Sequence, residues 1–466
     1  MTRRLRVVLY AVNGTGVGHV SRLLAIARWM RRLAAYVGTP LEAWFLTSSE
    51  ADGMVFREGF ASFKIPSKTS IGEAGIDRRA YLAVAKQHVW STLGTLRPDL
   101  LVVDTFPMGS FGELLPALDF AKRSAFVYRP ARDVLAGRAD FQAMLPMYDR
   151  ILVPEHEGTA EVSVPERARS RVVFTGPVVG RERAEHPDRR AARALLGVSD
   201  DALVVYASAG GGGDPGAAAQ LAATSRAVLA MPSAHLVVGA GPLFRGSPRL
   251  GPRTTWLADR TAAEVLAGCD VAVSAAGYNA FGELMHAGMP TVFVPQEKPA
   301  DDQAARAGRA ARAGAAVVAD DASEASIAAA LTRFGTAEAR NAASSAAAAL
   351  VPRSHARDAA AELLRLVAPE GSIDDAEHAL DEARVAQAAA TGATLDDAIA
   401  LALALRGPTT RTPPLDLAMT LLRAATSRGL SAKDAVALAI SATTAEHSAG
   451  AKSRVARQAI ERFALT

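Results

Sequence analysis

Three glycine-rich turns, with the polar side chains beside them, are where this sequence concentrates residues able to do chemistry. The first is Asn13-Gly14-Thr15-Gly16-Val17-Gly18-His19-Val20-Ser21-Arg22. Glycines there let the backbone turn sharply and approach a ligand, and the amino end of a following helix favours an anion or a polar oxygen. Alternating glycines suit a dinucleotide as readily as any other phosphate ligand. His19 discriminates: a lone histidine is more often structural than catalytic, but at the first helical turn this one faces the mouth of the sheet, which favours function. A nicotinamide dinucleotide would also want a carboxylate ending the second strand. Phe45-Leu46-Thr47-Ser48-Ser49-Glu50 supplies Glu50 only after a hydroxyl-rich turn. The second turn, Tyr206-Ala207-Ser208-Ala209-Gly210-Gly211-Gly212-Gly213-Asp214, offers consecutive backbone N–H groups that can cradle phosphate oxygens. It lacks the Gly-Lys-Ser/Thr of an ATPase P-loop, and taken alone it reads equally as a flexible interdomain turn.

The third turn is the most informative. It runs Ser274-Ala275-Ala276-Gly277-Tyr278-Asn279-Ala280-Phe281-Gly282-Glu283, ends at Gly288-Met289-Pro290, and is followed by Asp301-Asp302-Gln303. A strand ends at Ser274, small residues admit a phosphate to the amino end of the next helix, and Glu283 falls about one turn inside it. Diphosphate at the helix start and a carboxylate for ribose hydroxyls make a coherent nucleotide site. Asp302 and Gln303 emerge beyond the next strand on the same side of the sheet, where a carboxylate and an amide can read sugar hydroxyls. A metal held on a diphosphate would suit spaced carboxylates such as Asp-x-Asp, whereas Asp301 and Asp302 are adjacent. The charge of a bound diphosphate is therefore expected to meet helix dipole and backbone N–H groups, with Arg181 as an added cation and no obligatory metal or cofactor. Asp104, ending Leu100–Asp104, is a second candidate base in the same cleft and equally a cap for the turn Thr105-Phe106-Pro107. Arg129, Arg132 and Asp133 read either as acceptor-side lining or as a surface ion cluster.

The elements that must position these residues alternate short aliphatic runs with longer segments of helical period. Leu5–Ala11, Leu100–Asp104, Ala125–Tyr128, Ile151–Val153 and Val172–Thr175 read as strands, with helices over Ser21–Ala35 and Gly112–Arg123. The pattern restarts with Leu203–Ala207, Leu236–Gly239, Thr255–Leu257, Val271–Ser274, Thr291–Val294 and Ala316–Ala319. This predicts an α/β chain of two Rossmann-like domains facing a cleft, residues 1–178 and 179–350. A helix within 351–368 links back to the first domain. Residues 371–466 read as an all-helical extension, in which Gly392–Ala402 and Gly429–Ala439 repeat one pattern and Arg454–Phe463 is a last helix. Two such repeats rarely bury a core alone, so the extension is expected to pack on the body, to self-associate or to dock a partner.

Composition narrows the function classes. The chain has 466 residues, half of them hydrophobic, and a mean hydropathy of +0.12, which excludes disorder over most of its length. Its single cysteine, Cys269, makes no intrachain disulfide and no Cys-based zinc site. The net charge of +4 is small and spread along the chain, and only seven of the 52 basic residues are Lys, so nucleic acid is not an expected partner. Arg3, Arg4 and Arg6 lead straight into the short run Val7–Leu9, and Ala227–Phe244, the longest stretch without Asp, Glu, Lys or Arg, is broken by Pro232, Gly239, Gly241 and Pro242. A cytoplasmic protein is expected. Leu24–Leu33 with Arg22, Arg28, Arg31 and Arg32 reads as an ordinary amphipathic helix, or as an apolar, Arg-rimmed surface for peripheral contact at the inner membrane face.

The run from Trp256-Leu257 through Ser274-Ala-Ala-Gly277, Glu283, Gly288-Met-Pro290 and Asp302-Gln303 resembles the donor-binding half of a GT-B glycosyltransferase. It is most similar to the branch holding the lipid II-forming N-acetylglucosaminyltransferase of peptidoglycan synthesis and the diacylglycerol glycosyltransferases. Gly14-x-Gly16-x-Gly18-His19 matches that branch's first glycine loop, and Phe174-Thr-Gly-Pro-Val178 with Arg181 resembles its interdomain segment, so the likeness spans about 1–366. The resemblance implies a bacterial enzyme moving sugar from a nucleoside diphosphate sugar, expected to be a UDP-sugar, to an acceptor hydroxyl. It further implies that Leu257 and Ala258 contact the base, Glu283 holds ribose, and Gly277 and Asn279 meet the diphosphate. Gly16, Gly18, Ser208, Gly210 and Gly211 would complete the donor site, Asp302 and Gln303 would read the sugar, and His19 would lie between donor and acceptor. The pair Asp302-Gln303 replaces two amides, and Ala275-Ala276-Gly277 replaces Arg-Ser-Gly, which leaves the sugar open. The acceptor, whether lipid-linked sugar, natural product or peptide, is not legible. A nucleotide-sugar hydrolase, an epimerase and a non-catalytic nucleotide-sugar-binding scaffold are the alternatives on this architecture.

Overall fold

A computed structural model describes residues 4–12, 16–37, 39–159, 161–247, 251–257, 261–298 and 301–379. The chain divides into two compact units, 1–30 with 40–367, and 31–39 with 368–466. The second unit's described part includes the helix Ser372–Ala379. The expected repeats at 392–402 and 429–439 and the helix 454–463 lie outside the described residues.

The first unit holds two wholly parallel sheets. Sheet one comprises β1 (Leu5–Ala11), β2 (Leu41–Thr47), β3 (Ala61–Lys64), β4 (Leu100–Asp104), β5 (Arg123–Val127), β6 (Arg150–Val153) and β7 (Val172–Phe174), in the spatial order β3-β2-β1-β4-β5-β6-β7. Sheet two comprises β8 (Leu203–Ser208), β9 (Ala234–Gly239), β10 (Thr254–Trp256), β11 (Val271–Ser274), β12 (Thr291–Phe293) and β13 (Ala316–Val318), ordered β10-β9-β8-β11-β12-β13. Continuous aliphatic runs explain the arrangement, since a strand covered on both faces needs no polar alternation. All five residues of β4, and Val7–Ala11 of β1, are buried.

Each sheet has one crevice where the chain reverses its direction of travel, between β1 and β4 and between β8 and β11. Ligands of open parallel sheets bind outside the carboxyl ends of the strands at that point. Register brings the chemistry there: Tyr10 of β1 lies opposite Val103 of β4, one residue before Asp104. Ser274 of β11 lies opposite Ser208 of β8.

Two expectations need correction. In the expected helix Gly112–Arg123, residues 112–122 form turns and a short 3-10 segment, Leu118–Phe120, and Arg123 opens β5. Glu113 is the reason: its fully buried carboxylate accepts the N–H groups of Ser110 and Phe111 at 2.8 Å and the hydroxyl of Tyr10, which winds the backbone around it. Arg22 and Arg28 are buried (2% and 7% exposed) and do not rim a lipid-facing surface. No helix among the described residues is long and apolar enough to cross a membrane.

The helix Ala356–Arg365 returns to sheet one, where Glu362 lies 3.7 Å from Arg150 of β6. Ser354 just before it donates its hydroxyl to the carbonyl of Val179 and accepts that residue's N–H, both at 3.2 Å, and His355 N–H donates to Pro177 at 2.8 Å. Gly176 has a φ of 88°, and a Cβ there would lie 2.6 Å from the His355 ring, which is itself held by Asp358 at 2.6 Å. Gly176→Ala is expected to destabilise the fold by at least ~2 kcal/mol, the sum of left-handed backbone strain and an overpacked contact, read as a lower denaturation midpoint at unchanged slope.

Candidate active site

The helix Gly18–Tyr36 starts at the mouth of sheet one, so residues three apart on its first turn share a face. His19 and Arg22 are such a pair, and both reach Asp104 at the end of β4. His19 Nδ1 is 2.6 Å from Asp104 Oδ1, and Arg22 grips the same carboxylate with Nε to Oδ2 at 2.8 Å and Nη2 to Oδ1 at 2.9 Å. Asp104 is fully buried. Burial opposes ionisation, but the Arg22 guanidinium and the hydrogen bonds from His19 and Arg22 outweigh it and hold its pKa far below the carboxylate range. An ionised Asp104 can only accept, so His19 donates its Nδ1–H to it and the lone pair is left on Nε2. Burial lowers the His19 pKa, Asp104 opposes, and Arg22 and Arg129 add to the lowering.

A cavity of about 690 Å³ lies between the two crevices. Gly16, Gly18, His19, Arg181, Ser208, Gly210, Gly211, Leu257, Gly277, Asn279, Glu283 and Gln303 all line it. Asp104 does not, because it sits behind His19. Asp302 does not either: its side chain, about half exposed, accepts Ala305 N–H at 3.0 Å to cap the helix Gln303–Arg312 and lies 3.4 Å from Arg132. Its neighbour Asp301 faces the cavity in its place, held by Arg129 at 2.8 Å and Arg306 at 2.7 Å. Ala258 lies outside the described residues.

The glycine turn after β8 is packed. Gly212 has a φ of 82°, and a Cβ on it would fall 2.3 Å from the Ala240 carbonyl, so the turn packs closely on the segment after β9 at this residue. Ser208 Oγ accepts Gly210 N–H at 3.1 Å, and Asp214 closes the loop onto Lys298, which also lines the cavity. Across the crevice, the helix Tyr278–His286 begins at Gly277, an N-cap residue that has no side chain to bond its amino end. Asn279 reaches away from that end: its amide donates to the Gly18 carbonyl at 2.9 Å, and its oxygen is 3.4 Å from Arg22. Burial pushes the Glu283 carboxyl up to about 7, against the pull of Arg28. Gln303 Oε1 accepts Gln296 N–H at 3.0 Å, which leaves its NH₂ as the end able to donate to a ligand.

Residues that sequence reasoning passed over complete the geometry. Tyr278 gives its hydroxyl to the Pro154 carbonyl, and its ring meets the guanidiniums of Arg22 and Arg306 at 5.3 Å and of Arg129 at 6.0 Å. The lining carries six Lys or Arg against four Asp or Glu among the described residues, an excess that suits a diphosphate.

Residues 258–363 match the glycosyltransferase family 28 C-terminal domain. No curated protein sequence matches the chain. Among solved structures, the spinosyn forosaminyltransferase SpnP superposes with a TM-score of 0.56 at 17% identity, covering 78% of this chain and 100% of its own. The spinosyn rhamnosyltransferase SpnG, in a complex with thymidine diphosphate, gives 0.52 at 16%, covering 76% and 98%. The glycotransferase of kitacinnamycin gives 0.51 at 18%, covering 78% and 100%. Likeness at these identities is one of fold, and the family 28 domain adds the activity. The chain is a glycosyltransferase with the GT-B fold.

In this glycosyltransferase the Asp104 cluster also bears on stability. A carboxyl whose folded pKa is depressed stabilises the fold above its unfolded pKa of about 3.9, and that contribution fades as pH falls through the folded value. Asp104→Ala leaves Arg22 buried and unpaired, so a loss of ~3–5 kcal/mol is expected near neutrality. Chemical denaturation should show the gap between variant and parent narrowing below about pH 4.

Proposed function

We propose that this glycosyltransferase moves a sugar from a nucleoside diphosphate sugar, expected to be a UDP-sugar, to an acceptor hydroxyl without an obligatory metal, with His19 as the base. The observation that supports this most is the His19–Asp104 pair facing, across one cavity, an uncapped helix end and a packed glycine turn. His19 Nε2 takes the acceptor proton as the acceptor oxygen bonds to the anomeric carbon, while the bond to the diphosphate oxygen breaks. Asp104 holds the ring tautomer and stabilises the imidazolium, and its saturation by His19 and Arg22 makes it the orienting carboxylate of the pair instead of the base. Leaving-group charge falls on the amino end of Tyr278–His286 and on the N–H groups of Gly210 and Gly211.

Glu283 supplies the acceptor for ribose hydroxyls, and the NH₂ of Gln303 donates to the sugar. The bound diphosphate of the rhamnosyltransferase neighbour supports a donor of this chemistry. Kinship with the lipid II and diacylglycerol branch rests on the motif residues alone. Peripheral association with the inner membrane face would draw on surfaces other than Arg22 and Arg28.

Turnover with a panel of UDP-, dTDP- and GDP-sugars is the direct test. Release of nucleoside diphosphate should require an acceptor, and release of free sugar without one would make the enzyme a hydrolase. His19→Gln should lower kcat by ~10²–10⁴-fold while donor binding by calorimetry stays within error. Retained turnover would remove His19 from the mechanism. Donor affinity should rise with pH as Glu283 ionises through about 7. Glu283→Gln should flatten that rise and weaken binding by about tenfold, the worth of one charged hydrogen bond.

A further inference from the structure

The turn after β4 has no role in the mechanism above, yet it is the strained point of the site. Thr105 is one of three non-glycine residues with positive φ among the described residues, at 63°, a region that a β-branched side chain disfavours. Phe106 N–H donates to the Asp104 carbonyl at 2.7 Å, so residues 104–106 close a γ-turn of the rare, strained hand around Thr105. Thr105 N–H extends the ladder to Val127 of β5 at 3.0 Å, and the residue is 2% exposed. Glycine would adopt this backbone without cost, so a threonine held there points to a need for its side chain.

The side chain has a specific partner. Its hydroxyl donates at 2.7 Å to Asp104 Oδ1, the oxygen that also takes His19 Nδ1 and Arg22 Nη2. The turn also delivers Phe106, whose ring centroid lies 5.6 Å from that of the His19 imidazole at an angle of 47°. We infer that Thr105 is a positioning residue for sugar transfer: its strained turn and its hydroxyl together fix the Asp104 carboxylate and the Phe106 ring, so that His19 keeps one tautomer and one orientation. This rests on His19 being the base. The charged groups facing His19 are Asp104 from β4, Arg22 from its own helix and Arg129 from the segment after β5, and none of them changes in the variants below.

The test compares Thr105→Ala, Thr105→Ser and Thr105→Gly in the full chain, with the His19 ring titrated by NMR and kcat and KM followed from about pH 5 to about pH 9. Thr105→Ala frees Oδ1 of a competing donor, so the imidazolium feels more of the carboxylate charge. The His19 titration should move up by ~0.5 unit or more, and the acid limb of the rate profile with it. The value of kcat should fall roughly tenfold with donor KM unchanged, the cost of a loosened catalytic group. Thr105→Ser, which keeps the hydroxyl, should behave as the parent. Thr105→Gly relieves the backbone and should melt above Thr105→Ala while remaining equally slow. An unmoved His19 titration in Thr105→Ala, or a parental rate in Thr105→Gly, overturns the inference. The titration needs no turnover, so it judges Thr105 separately from the His19 variant, which judges the reading beneath it.

Discussion

A carboxylate with no access to water must be surrounded by donors or it will not stay ionised, and Asp104 is that carboxylate in this molecule. Its oxygens receive two bonds from Arg22, one from His19 and one from Thr105. Removing any one leaves the others facing an incompletely satisfied charge in a low-dielectric interior, where the penalty is largest. The constraint therefore reaches beyond the cluster. It requires β4 to end at residue 104, the helix Gly18–Tyr36 to begin with a residue pair one turn apart, and the turn at Thr105 to hold an unfavourable backbone.

Arg22 carries the same constraint to the donor side. Its guanidinium binds Asp104 on one side, and meets Asn279 and the ring of Tyr278 on the other. Tyr278 and Asn279 open the helix whose amino end is the natural seat for a diphosphate. Arg129 and Asp301 form a second tie of this kind, nearly parallel in logic: one residue from the end of β5, one from the start of the segment that leads into Gln303–Arg312. His19 and the amino end of Tyr278–His286, the proposed proton acceptor and phosphate seat, are thus parts of one hydrogen-bonded body. Their separation is set by short, buried contacts, as catalysis by positioning demands.

Much of this was legible in the residues themselves. The strands Leu5–Ala11, Leu100–Asp104 and Val271–Ser274 fall where aliphatic runs place them, since burial on both faces leaves an unmistakable pattern. The glycine turns and most of their neighbours do meet in one cavity. What escaped were the outcomes of competition between local and tertiary partners. Glu113 sits in a segment of helical composition, but its burial beneath Tyr10 turns the backbone into loops. Arg22 read as part of an amphipathic helix or of an Arg-rimmed surface. Its spacing of three from His19 was the available signal, and the missing information was that a buried carboxylate lay opposite. Thr105 gave no signal at all, because a positive φ is a property of the folded backbone.

The fate of Asp302 shows how a motif can be physically divided. Taken as a sugar reader, it must project into the cleft beside Gln303. Taken as an N-cap, it must fold back on Ala305, and an exposed helix start makes the second role available to any Asp. In the structure the cap wins, Arg132 lies 3.4 Å from Asp302, and Asp301 takes the inward position with its Oδ1 held by both Arg129 and Arg306. A cap is worth about 1 kcal/mol. A sugar hydroxyl that recruits Asp302 must offset that loss and the Arg132 contact, whereas one bound by the Gln303 NH₂ offsets nothing, because Gln296 already holds that amide in place. On the proposed function the amide is therefore the prior reader of the sugar, and the carboxylate would contribute only for a donor that makes more than one new hydrogen bond to it.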